Sequence, residues 1–128
     1  MQDRPTAPEL LDALAELLFA DVREWVPRER RFQILVAANV CAVVARELRA
    51  GDEPTLADAR LFRRLLGESG PEPSGEDPEA EARELAAELA REIRAGRLDG
   101  EIEAVAAELR EHVRRKLDVA RPGYADAG

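Results

Sequence analysis

His112, Cys41 and Asn39 are the side chains through which this sequence could do chemistry, and each falls in a helix-like stretch. Glu108 precedes His112 by four residues, so the two share a helix face and read as a solvated ion pair. A di-iron bundle would need Glu-x-x-His, and the residue three before His112 is Leu109. One histidine and one cysteine cannot supply the nitrogen and sulfur ligands of a zinc site, so no metal and no cofactor are expected. Cys41 sits among alanines and valines, where a thiol packs rather than attacks. The serines and threonines are Thr6 and Thr55, which read as helix caps, and Ser69 and Ser74, which read as linker; no Ser-His-acid set follows. The glycines never form GxxxxGK or GxGxxG. With 27 acidic residues, carboxylate pairs arise by chance as solvated faces. The balance is against catalysis.

Asn39 raises a different question. From Ile34 to Ala45 it is the one residue that is not apolar. A buried amide is costly unless it is hydrogen-bonded. It shares a helix face with Phe32, Leu35, Val43 and Arg46. The expectation is a bond from Asn39 to a neighbouring backbone; the alternative is a polar contact inside a ligand cleft. Two basic groups, Arg28/Arg30/Arg31 and Arg114/Arg115/Lys116, could seat a phosphate or a partner's carboxylates, although the second also suits a helix C-terminus.

The elements that must position these residues are helices. "TAPE" gives Thr6 as N-cap, Pro8 in the first turn and Glu9 as the reciprocal cap. Leu10, Leu11, Leu14, Leu17, Leu18, Val22 and Trp25 then recur at three- and four-residue steps up to Pro27. A second helix runs over 28–50 and stops at Gly51; its middle is apolar all round, which predicts cover on every side. A third spans about 55–66, with Leu56, Ala59, Phe62, Leu65 and Leu66 inward. "ESGPEPSGEDP" predicts a flexible linker at about 67–77. Asp77 caps a fourth helix carrying Leu85, Leu89 and Ile93, and Asp99 caps a fifth carrying Ile102, Val105, Ala106, Leu109, Val113 and Leu117. The fold class is therefore all-α: a single-domain bundle of about five helices around the central apolar helix 28–50.

Composition agrees. The chain has 128 residues, 45% hydrophobic and 36% charged, and only 4% aromatic, so its core is Leu, Val, Ile and Ala. A net charge of −8 argues against nucleic acid and anionic membranes. The single cysteine excludes an internal disulfide. The start lacks signal-peptide order, and the longest apolar run is about a dozen residues where a membrane span needs ~20. A cytoplasmic location is expected.

"RPTAPELLDALAELL", "RRFQILVAANVCAVVAREL", "IRAGRLD" and "RKLDVARPGY", in that order, resemble a family of small bacterial proteins classed as a domain of unknown function. The resemblance covers nearly the whole chain, with 68–84 as its variable part. Phe32, Val36, Ala37, Ala38, Asn39, Arg46, Glu47 and Leu48 match the family's central-helix pattern, and Arg94, Gly96, Leu98 and Asp99 its turn. The chain departs from the family at Gln33 and Leu35, where the pattern has His and Arg, and at Ala86 and Ala87, where it has Leu and Asn. The resemblance implies genes encoded beside aminoglycoside-phosphotransferase-like kinases and acyl-CoA dehydrogenases.

The resulting expectation is a non-catalytic accessory protein docking on such a kinase or dehydrogenase and forming a homodimer. Phe32, Asn39, Arg46, Arg94 and Tyr124 are its candidate ligand or partner contacts, since Arg and Tyr are favoured at interface hot spots. The alternative is a helical bundle binding an acyl or phosphorylated metabolite beside Asn39 and Arg46.

Overall fold

The computed structural model describes residues 3–67, 76–124 and 126. The chain is a small all-α domain, and its described residues form five helical rods and no strand. Helix α1 begins at Ala7–Leu17, passes through a π-helical turn at Leu18–Val22 and ends with Arg23–Trp25. After a 3-10 turn at Arg28–Arg30 comes α2, Arg31–Ala50. Then follow α3, Glu53–Leu66, and α4, Pro78–Arg94. A 3-10 turn at Asp99–Glu101 leads into α5, Ile102–Ala120. The linker expected at about 67–77 lies mostly outside the described residues.

Local chemistry sets most of these ends. Thr6 and Glu9 form a reciprocal capping box: the Thr6 amide donates to Glu9 Oε2 at 2.7 Å and the Glu9 amide to Thr6 Oγ1 at 3.4 Å. The Asp77 carboxylate accepts from the Ala80 amide at 3.1 Å and starts α4. Gly67, at φ 76°, closes α3 in the left-handed conformation that a side chain would resist. Two caps differ from expectation. Asp52, not Thr55, precedes α3, so Thr55 lies inside the first turn. Asp99 opens a 3-10 turn and makes no side-chain cap to α5.

The helices gather into two compact units. The first holds α1, α2 and residues Val119–Arg121. Its short connection makes α1 and α2 antiparallel neighbours, and an ion pair between Asp12, near the start of α1, and Arg49, near the end of α2, fixes that sense. Only Ala38 and Ala45 are buried among the described residues here. This corrects the expectation that α2 is enclosed. Phe32 is 73% exposed, and Val36, Asn39, Val40 and Leu48 are exposed as well. The apolar row of α1 is also open at Leu10, Leu14, Leu17 and Trp25. Periodicity reports which face avoids water, not how many neighbours exist to cover it.

The second unit, Asp52–Asp118 with Pro122–Gly128, holds the real core. Ala59, Leu61 and Phe62 of α3 pack with Ala82, Leu85 and Leu89 of α4. The small side chains at Ala59 and Ala82 let the two helices approach closely. Ile93, Leu98 and Leu109 cover the edges, and Val105 of α5 is 2% exposed. Of the five remaining residues expected to form the α5 stripe, Ile102 and Val113 face solvent. No helix among the described residues is long and apolar enough to cross a membrane.

Candidate functional site

Two constellations in this chain have a defined geometry. The first, in the second unit, centres on Asp58. Its Oδ1 lies 2.8 Å from Nδ1 of His112 and accepts from Nη2 of Arg115 at 2.9 Å. A carboxylate only accepts, so Nδ1 carries the hydrogen. The Phe62 ring and the imidazole meet in a T-shaped contact, with centroids 5.1 Å apart and planes inclined at 67°. One turn earlier on α5, Glu108 accepts from Nη2 of Arg64 at 2.8 Å. The expected Glu108–His112 pair is thus replaced by two ties from α3 to α5. Glu108, His112 and Arg115 of α5 each find a partner on α3.

Chemically, an aspartate holding an imidazole is the orienting half of a triad. The nucleophilic half does not accompany it: among the described residues no hydroxyl or thiol hydrogen-bonds to His112. Cys41 is half-buried on α2, in the other unit. No group of three or more His, Cys, Asp or Glu among the described residues could hold a metal ion. The Asp58 cluster ties α3 to α5, and sequence spacing missed it because its members are 54 and 57 residues apart.

The second constellation is the outer face of α2. Phe32, Val36, Asn39, Val43 and Arg46 follow one another at steps of four and three, the spacing of a coiled-coil seam. Phe32, Val36 and Asn39 are exposed, Val43 is half-buried, and Val40 flanks them in the open. The Asn39 side chain, expected to bond a neighbouring backbone, makes no hydrogen bond to any described residue. Arg46 at the end of the row is engaged: its Nε donates to the Val119 carbonyl at 2.6 Å and Nη2 to that of Ala120 at 3.5 Å. Those carbonyls are the unsatisfied C-terminal acceptors of α5.

Of the candidate contact residues, Phe32, Asn39 and Arg46 share this one row of α2. Arg94, exposed at the last position of α4, and Tyr124, 53% exposed beyond α5, belong to the second unit. A shallow groove of about 540 Å³ runs along α5, lined by Ala106, Ala107, Leu109, Val113 and Leu117 together with Arg110, Glu111 and Arg114. The sequence marked Arg114 in a basic group but gave no sign of a groove there.

No curated protein and no solved structure matches the chain. A family model does, over residues 24–124, a span that takes in the α2 row, the Asp58 cluster and the α5 groove: the chain belongs to the family described as a domain of unknown function, DUF6285.

Proposed function

We propose that this chain is a non-catalytic interaction protein, an accessory that pairs with a second copy and docks on an enzyme of the phosphotransferase-like kinase or acyl-CoA dehydrogenase class. One observation carries the reading. The first unit leaves Leu10, Leu14, Leu17, Trp25, Phe32 and Val40 open to water while burying, among its described residues, only two alanines. Open apolar rows on that scale mark surfaces that meet other proteins. The enzyme classes come from the family resemblance. The row Leu10, Leu14 and Leu17, spaced by four and three on α1, is the surface assigned to the enzyme.

The test is co-expression of the tagged chain with the kinase-like and dehydrogenase enzymes encoded beside its gene. Retention of one of them on the affinity resin, and its loss with Leu14→Glu/Leu17→Glu, is expected. An eluate holding the chain without either enzyme overturns the docking role.

The α5 groove favours a second reading, a binder of anionic acyl compounds. Its lining is mostly apolar, Arg110 and Arg114 outnumber the one carboxylate there, Glu111, and neither arginine has an ion-pair partner among the described residues. An acyl chain would lie along Leu109, Val113 and Leu117 with its phosphate or carboxylate at the guanidinium groups. Calorimetric titration with a medium-chain acyl-CoA should give binding that Arg110→Glu/Arg114→Glu abolishes; no heat at millimolar ligand overturns it.

A further inference from the structure

We infer that the open seam of α2 pairs with the same seam of a second copy of this chain, with Asn39 opposed to Asn39 of the second copy across a two-fold axis. This rests on the pairing proposed above and adds to it the face, the register and a role for the amide.

The seam suits its own image. Between Gln33 and Ala45 α2 carries no ionised side chain, so two molecules of net charge −8 can meet there without opposing like charges. An isologous contact needs a surface complementary to itself. Phe32, Val36, Val40 and Val43 satisfy that by being apolar. Asn39 satisfies it by being an amide, which donates and accepts at once and so pairs with an identical amide. A carboxylate or an ammonium in that place would repel its own copy. Asn39 also stands midway along the row, seven residues from Phe32 and seven from Arg46. Arg46, the one cation in the row, is drawn aside onto the carbonyls of Val119 and Ala120.

Area agrees with a reversible dimer. Covering Phe32, Gln33, Val36, Asn39, Val40 and Val43, with the ends of the row, removes on the order of 600 Å² per copy. The pair then buries about 1,200 Å², the lower edge of the range for specific, stable interfaces. The first unit has the most to gain, because only two alanines are buried among its described residues and the outer face of α2 is open at Phe32, Val36, Asn39 and Val40.

The experiment uses the full chain. Light scattering of the wild type at about 100 µM should give the mass of two chains, and Val36→Glu/Val40→Glu should weaken pairing about 100-fold, with helical circular dichroism retained. Since that variant can also lose its fold, a second readout uses Cys41→Ala/Asn39→Cys. Mild oxidation should join it into a covalent dimer, while Cys41→Ala/Glu16→Cys, on an exposed site of α1, stays single. A wild-type mass of one chain overturns both the pairing and the seam. A dimer that forms no disulfide at position 39 and survives Val36→Glu/Val40→Glu overturns the seam alone and leaves the pairing standing.

Discussion

A single carboxylate oxygen, Oδ1 of Asp58, serves both His112 and Arg115, at 2.8 and 2.9 Å. The side chains of Asp58 and His112 are 13% and 15% exposed, so neither has ready access to water as a substitute partner. Asp58→Ala strands two donors at once. A loss of about 2 kcal/mol follows, seen as a thermal midpoint lower by roughly 5–10 °C. Asp58→Asn keeps an oxygen in place and should lose less than half as much. Thermal unfolding followed by circular dichroism separates the two; equal losses would mean that the charge, not the acceptor, holds α3 to α5.

Arg49 and Asp12 join the two ends of the α1–α2 hairpin, and the hydrogen bond to Asp12 holds the Arg49 guanidinium above its ordinary value. A cation whose folded value is raised contributes fully below its unfolded value and loses that contribution only as pH rises through the folded one. For arginine that window lies in strong alkali, far from neutrality. The pair is open to solvent, so salt rather than pH controls it. The midpoint difference between wild type and Arg49→Met should stay constant between about pH 6 and 9. It should shrink as salt rises from about 0.05 to 0.5 M. A difference that changes with pH and ignores salt would contradict this assignment.

Much of the fold is written in local chemistry, and the rest is not. Thr6 with Glu9, Asp77 with Pro78, and Gly67 announce helix ends because each acts within a few residues of itself. Leu85 and Leu89 are legible as core because α4 has one apolar face and α3 is there to receive it. Leu10, Leu14 and Val36 carry the same periodic signal and stay open, since nothing in a period says whether a neighbour is present. Asn39 followed the same logic: an apolar surrounding in sequence implied a buried amide, and the amide is exposed. The Asp58–His112 tie was invisible for another reason. It joins residues 54 apart whose meeting depends on how α3 and α5 lie, which no spacing within α5 encodes.

That distinction between shared pattern and unequal cover is measurable. Leu89 of α4 is 3% exposed and Leu14 of α1 is 43% exposed, although each lies on the apolar stripe of its helix. Leu89→Ala should cost about 2–4 kcal/mol through lost transfer energy and the cavity left in the second unit. Leu14→Ala, already half in water, should cost under about 1 kcal/mol. Urea unfolding monitored at 222 nm decides it, read as a shift in midpoint at constant slope. A Leu14→Ala loss as large as that of Leu89→Ala would mean that α1 is covered in solution.

Arg46 supplies the last comparison. Its guanidinium satisfies the carbonyls of Val119 and Ala120, at 2.6 and 3.5 Å, where α5 runs out of intrahelical donors. A charge-assisted bond at a helix C-terminus also opposes the negative end of the helix dipole. Arg46→Ala should therefore cost about 1–2 kcal/mol and quicken amide exchange in the last turn of α5, while the α3–α4 core keeps its protection. Arg46→Lys retains the charge but not the planar donor pair, so it should restore the dipole part and leave the last turn partly frayed. Exchange at 117–121 that is unchanged in Arg46→Ala would show that the contact does not hold the end of α5 in solution.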